Sequence, residues 1–208
     1  YKAMVELKAL KLFFSVNKDI FIRTICLIFV MSFFTAQSAN IGNTVLAVNS
    51  VLLQFFMFFS FVMDGFAYAA EALTGRFVGE KSRSKLLHTV KLLFLWGIGF
   101  AGLFTLAYTI LDEQILMLLT DNAEVISRSH DFIYYVWVIP LITFSAFLWD
   151  GIYIGATASR SMRNAMLIST LIFFIPLYYL LVGPMGNHGL WVAFLFFQLS
   201  RGVVQTIL

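Results

Sequence analysis

Six apolar stretches, each long enough to cross a bilayer, recur along this chain of 208 residues, separated only by short polar connections. A chain whose apolar segments reach that length has few options. Backbone N–H and C=O groups facing hydrocarbon find no water, so each segment must satisfy them internally as a helix. The spans are expected at about Asp19–Ser38, Thr44–Leu73, His88–Leu111, Ser129–Thr157, Asn164–Val182 and Gly189–Leu208. The fold class is therefore all-α, a polytopic membrane protein with a six-helix bundle. The second and fourth stretches exceed the roughly 20 residues a crossing needs, which implies tilt or extension beyond the hydrocarbon.

Composition agrees. Hydrophobic residues make up 61% of the chain and charged ones 12%, against about a quarter charged in soluble domains. The net charge of +3 does not point to nucleic acid, because the basic residues are distributed by topology. Lys2, Lys8, Lys11, Lys18 and Arg23 precede or open the first span. Arg76, Lys81, Arg83, Lys85 and Lys91 surround the second-to-third connection, and Arg160 and Arg163 the fourth-to-fifth. With six crossings all of these fall on one side. The other side carries Asn40–Asn43, the acidic stretch Asp112–Glu124 and Gly183–Gly189, with Arg128 its only cation. The asymmetry agrees with six crossings and places the N-terminus in the cytoplasm.

Smaller features complete the map. Residues 1–16 form an amphipathic segment expected to lie on the cytoplasmic surface as a connector, followed by the six-helix domain at 17–208. Glu113–Leu119 is expected to be a short interfacial helix, with Thr120-Asp121 capping a new start. Tyr1 in place of Met, and an end inside the apolar run Gly202–Leu208, suggest part of a longer polypeptide. Cys26 lies alone in an apolar run and cannot form an intrachain disulfide. His88, His130 and His188 stand near span ends without metal-ligand spacing. No Walker loop is present; Gly75–Glu80 is glycine-rich but occupies a helix connection, which argues against ATP-driven transport in this chain. No enzyme signature is found, and neither cofactor nor metal is expected.

Four charged residues sit where charge is costly. Asp64 and Glu71 share a face of the second span, seven residues apart, with Glu71 nearer the cytoplasmic end. Asp150 lies in the fourth span and Arg201 in the sixth. An intramembrane charge costs at least about 2.5–3.5 kcal/mol at the helix centre on insertion scales. Asp64-Gly65 and Asp150-Gly151 lie at similar depth, roughly 12–15 Å inside the cytoplasmic end at 1.5 Å per residue. At least one aspartate is expected within ion-pair or water-bridged reach of Arg201. Two roles fit the group: a self-neutralising structural cluster, or direct handling of ions or substrate. Gly65, Gly75, Gly79, Gly151 and Gly155 are expected to let helices approach closely. Gln37, Ser38, Asn40, Asn43, Asn49 and Gln54 are expected to hydrogen-bond between helices. Most of the phenylalanines are expected to face lipid, with a few lining an apolar cavity.

Leu46-Ala-Val-Asn-Ser-Val-Leu-Leu-Gln-Phe-Phe and Asp64-Gly-Phe-Ala-Tyr-Ala-Ala-Glu-Ala-Leu-Thr-Gly-Arg resemble the MATE (multidrug and toxic compound extrusion) family, most of all its DinF (DNA-damage-inducible protein F) branch. Asp150-Gly-Ile-Tyr-Ile-Gly-Ala-Thr-Ala-Ser-Arg-Ser-Met-Arg-Asn, Gly186-Asn-His-Gly-Leu-Trp and Leu199-Ser-Arg-Gly extend the resemblance, which runs from about Asn17 to Leu208. It implies a twelve-helix transporter of two six-helix lobes, of which this chain is the second. It also implies secondary active efflux, across the bacterial inner membrane, of an organic, often cationic or amphiphilic compound in exchange for protons or sodium. The implied partners are membrane lipid, the missing N-terminal lobe of the same polypeptide and a small organic substrate. In much of the family an aspartate on the first helix of the first lobe matters for coupling, and that helix is absent here. Asp64, Glu71 and Asp150 match the branch's own second-lobe motifs and do not inherit that residue's role. The alternative is a lipid or lipid-linked oligosaccharide flippase of related fold, whose cavity would need several basic residues for phosphate.

Overall fold

The computed structural model describes residues 7–208. All regular elements among them are helical: α1 (Leu7–Ile41), α2 (Asn43–Gly79), α3 (Arg83–Leu119), α4 (Ala123–Ser129), α5 (Ile133–Gly155), α6 (Ser159–Ile168), a π-helical turn (Ser169–Phe174), α7 (Ile175–Met185) and α8 (Asn187–Ile207). Six helical stretches are long and apolar enough to cross a membrane, with α6, the π turn and α7 acting together as the fifth. The expected spans are thus present, with ends that differ by a few residues.

Three of the differences are informative. α3 is one helix of 37 residues that includes Glu113–Leu119, so that stretch is not a separate interfacial helix. The run Ile115, Leu116, Leu118, Leu119 keeps the helical hydrogen bonding going, and the break comes only at extended Thr120. The short helix starts later, at Ala123, and its cap is Asn122, whose side chain accepts from the amides of Glu124 and Val125. α2 likewise continues through Gly79, so Gly75–Gly79 belongs to its last turn rather than to a connection. Of the expected connector at 1–16, Tyr1–Glu6 lie outside the described residues, as do the side chains of Lys2, Lys8 and Lys11. From Leu7 its backbone continues the first span without a break.

α5 and α8 are the most buried spans, α2 follows, and α3 is the least buried. Spans two, four and six form the centre of the bundle. They run in the same direction, as their matched contacts show: Gly151 meets Ala67 and Gly155 meets Glu71 between α5 and α2, while Gly202 meets Ser145 between α8 and α5. α1, α3 and the α6–α7 span pack around them in the opposite sense.

The closest crossing is made by glycine. A Cβ on Gly151 would collide with the backbone of Ala67, and one on Gly155 with the backbone of Glu71, one turn further along both helices. Gly75 adds to the seam by facing Gly155. Gly65 and Gly79, expected to act in the same way, face open space. Gly186 has a different task. Its φ of +55° and ψ of −128° form the turn that sends α7 back into α8, a conformation that side chains rarely adopt.

At the end of the bundle where α1 passes into α2, a buried amide ties three helices together. The Asn49 amide on α2 donates to Ser38 Oγ on α1 and to Asn187 Oδ1 on α8, each at 2.7 Å, and its oxygen accepts from Asn187 and from Trp191 Nε1. Of the polar residues expected to bond between helices, Ser38 and Asn49 do so, whereas Asn40 pairs with Gln37 on its own helix. Below this clasp Phe34, Phe56, Trp191 and Phe194 pack edge to face. The fifth span is irregular: the π turn at Ser169–Phe174 precedes Pro176, and α6 buries four residues whereas α7 buries none.

The glycine seam yields a stability test. Gly151→Ala is expected to destabilise the bundle by about 1–3 kcal/mol, the usual penalty for overpacking, because the atom it meets is backbone and cannot rotate away. Gly65→Ala, facing open space, is expected to leave stability unchanged. Thermal unfolding of the two variants in detergent checks the contrast.

Candidate functional site

Asp150 stands on the central helix α5, on the turn that the Gly151–Ala67 crossing presses against α2. Its carboxylate collects donors from two other helices. Arg201 Nη2 on α8 bonds to Oδ2 at 2.9 Å, Arg23 Nη2 on α1 bonds to the same oxygen, and Gln205 Nε2 on α8 bonds to Oδ1 at 2.6 Å. Asp150 is 4% exposed and Arg201 2%. The α8 partners lie one turn apart, so both face α5 from a single stripe. The expected approach of an aspartate to Arg201 is therefore present.

Arg201 is held from every side. Its Nη1 donates to Gln198 Oε1 at 2.7 Å. Its guanidinium lies 5.9 Å from the Phe147 ring centre and 5.7 Å from that of Phe197, so two aromatic faces replace part of its lost hydration. Two guanidiniums on one carboxylate leave a local excess of positive charge. Buried Nε atoms of Arg23 and Arg201 have no hydrogen-bond partner among the described residues.

Asp64 lies across from this knot on α2, and its surroundings differ from those of Asp150. It is half-buried and makes no hydrogen bond or ion pair among the described residues. Two cavities meet at its side chain. One, about 170 Å³, is lined by Arg23, Asp64, Tyr68, Glu71, Phe147 and Asp150 among others. The other, about 280 Å³, shares Arg23, Asp64 and Phe147 and adds Met31, Ser60 and Arg201 among others. Arg23, Asp64 and Phe147 are thus the wall common to both. Glu71 is half-buried two turns further toward the C-terminal end of α2, on the Asp64 face. The structure brings Asp64, Glu71, Asp150 and Arg201 into one neighbourhood, with only Asp150 and Arg201 directly bonded.

Arg23 is the member that the sequence reading treated only as a topological charge. Its signal lay in Asp19 and Arg23, one helical turn apart at the start of an apolar span. Asp19 is also buried and bonded: Arg163 Nη1 reaches it at 2.6 Å and Ser159 Oγ at 3.2 Å. Arg163, likewise counted as a loop charge, thereby clamps α6 to α1. A larger apolar cavity of about 320 Å³ lies between α2 and α3, lined by Phe55, Phe58, Phe61 and Tyr108 among others. Phe58, Phe61 and Leu118 on its rim are mostly exposed, so it opens to the outside of the bundle and not toward the charge knot.

Comparison with known proteins gives the same direction. Residues 20–180 match the MatE family. The chain is 32% identical over 189 residues to DNA damage-inducible protein F of Escherichia coli (strain K12), covering 91% of this chain and 41% of the relative. It is 26% identical over 163 residues to multidrug resistance protein NorM of Vibrio vulnificus, in strains YJ016 and CMCP6, covering 76% of this chain and 36% of the relative. The chain therefore spans about two fifths of the length of the curated relatives it matches.

Removing the carboxylate should expose its structural weight. Asp150→Ala leaves the buried Arg201 and the part-buried Arg23 without a counter-charge and is expected to cost about 3–5 kcal/mol, as for other broken buried pairs. Adding Arg23→Met and Arg201→Met to Asp150→Ala is expected to recover much of that loss. Melting temperatures of the detergent-solubilised full-length protein distinguish the two variants.

Proposed function

The chain belongs to the MatE family, and from that premise we propose that it is the C-terminal lobe of a secondary active exporter. The whole polypeptide would carry organic, often cationic or amphiphilic, compounds out of the cell in exchange for protons or sodium. It is a multi-pass membrane protein of a transporter family rather than an enzyme. In this reading it lies in the bacterial inner membrane with the start of α1 in the cytoplasm, as the basic connections suggest. Its partner is a second six-helix lobe of the same polypeptide, and the substrate passes between the lobes as one moves against the other.

The observation that carries the reading is a pair of adjoining clefts, both bordered by the Asp64 carboxylate, in a chain matched to this family over residues 20–180. A membrane scaffold has no need of them, because each intramembrane charge is costly unless it is used or compensated. The flippase alternative needs basic groups free to receive phosphate. Arg23 and Arg201 are both intramembrane, but both are bound to Asp150, which supports export over phosphate binding.

The test is efflux of a fluorescent organic cation from vesicles bearing the full-length protein. An imposed proton or sodium gradient is expected to accelerate efflux, and indifference to both would remove the coupling. A labelled lipid-linked substrate is expected to stay in its leaflet; its translocation would favour the flippase.

A further inference from the structure

We propose that the free face of α3 holds an anionic phospholipid, its phosphate drawn to the cations around the α2–α3 turn and an acyl chain laid along the helix below them. The proposal requires only that α3 crosses the bilayer and does not rest on the export reading. Between Glu71 and Asp112 the chain carries Arg76, Lys81, Arg83, Lys85 and Lys91, and Glu80 is the only acid. Glu80 is already engaged: it accepts from Arg76 Nε at 2.9 Å and from Lys85 Nζ at 3.0 Å. Lys81, Arg83 and Lys91 are exposed and enter no ion pair among the described residues. Lys81 stands at the tip of the turn, in the left-handed conformation (φ 54°) that glycine commonly supplies at a helix end. The turn thus carries a charge where glycine would fit with less strain.

Depth and direction fit the same ligand. No charged residue interrupts α3 between Lys91 and Asp112. At 1.5 Å per residue that stretch spans about 30 Å, the thickness of the hydrocarbon. Lys91 therefore sits at the edge of one leaflet, near the phosphate groups, with Lys85, Arg83 and Lys81 further out, and basic clusters so placed attract anionic headgroups. Lys91, Leu95, Gly99, Gly102 and Leu106 follow one another at three- and four-residue spacing and share a face. That face is turned away from the bundle: Leu95 is 66% exposed and Leu106 57%, while the opposite side of the helix buries Leu93, Gly97, Ala101 and Tyr108. Gly99 and Gly102 meet open space, which leaves a shallow channel for an acyl chain between Leu95 and Leu106. α3 supplies no lining residue to either cleft at Asp64, so a lipid here stays clear of them. A zwitterionic lipid brings its own ammonium to the same cations and gains less, and a free phosphate has no chain to lay along the helix.

The test titrates the full-length protein, stripped of lipid in detergent, with phosphatidylglycerol, with phosphatidylcholine of the same chains and with glycerol 3-phosphate. Melting temperature and apparent affinity are read. Phosphatidylglycerol is expected to stabilise more than phosphatidylcholine, with the difference lost in about 1 M salt, and glycerol 3-phosphate is expected to have no effect. The combined variant Lys81→Gln, Arg83→Gln, Lys91→Gln is expected to keep the lipid-free melting temperature and the phosphatidylcholine response, and to bind phosphatidylglycerol roughly tenfold or more weakly. Lys18→Gln with Arg160→Gln, which removes exposed cations from α1 and α6, is expected to retain the phosphatidylglycerol preference. Unchanged phosphatidylglycerol affinity in the triple variant, or an equal loss in the control, overturns the site. Equal stabilisation by glycerol 3-phosphate marks a free-anion site and overturns the lipid. In the wild-type protein, which needs no variant to fold, photoactivatable phosphatidylglycerol is expected to label α3 between Arg83 and Leu106, as read by peptide mass spectrometry. Labelling that spares α3 overturns the proposal.

Discussion

A carboxylate buried among helices that face lipid has no water to turn to, and Asp150 meets that constraint by recruiting three helices at once. Arg23 comes from α1, Arg201 and Gln205 from α8, and Asp150 itself from α5. Because an unpaired Asp150 or Arg201 would be left charged in a low-dielectric interior, the four residues fix the relative depth of the three helices. The glycine seam then adds α2, since Gly151, the residue after Asp150, seats directly on Ala67. Charge pairing and close backbone packing thus act on the same turn of α5. At the opposite end of the bundle, Asn49 joins α1, α2 and α8 without any charge.

The division between tied and untied polar groups gives the lobe its functional character. Asp150, Arg201 and Asp19 are bonded and nearly inaccessible. Asp64 and Glu71 face cavities on a single face of α2. The tied groups hold the helices in register, and the untied carboxylates stand beside open space. The wall shared by the two cavities is Arg23, Asp64 and Phe147.

The spans were legible because the bilayer restricts a long apolar run to helix, and their number followed from hydropathy and loop charge together. That an aspartate would approach Arg201 was legible from depth, since isolated charges in lipid seek each other; that it would be Asp150 and not Asp64 was not. Arg23 and Arg163 were not, because at a helix end a basic residue serves topology and ion pairing with the same residue type. The pairing is decided by packing between residues more than a hundred positions apart. Which glycines make contacts was equally hidden: Gly65 and Gly151 each follow an aspartate, yet only Gly151 lies at a crossing. The end of α3 was misplaced because an apolar run near an interface suits a lying helix and a prolonged span alike.

The π turn at Ser169–Phe174 carries a consequence for how this span compares with its relatives. A π turn fits one more residue into the path of a helix than α geometry holds, and one residue rotates everything beyond it by about 100° around the axis. α6 buries four side chains against the bundle, and past the turn α7 buries none. The extra residue therefore behaves as a frame shift in side-chain direction, written in backbone geometry. A relative with an uninterrupted helix here would align with this chain only across a one-residue gap, and its residues beyond the gap would present a different face to the surroundings.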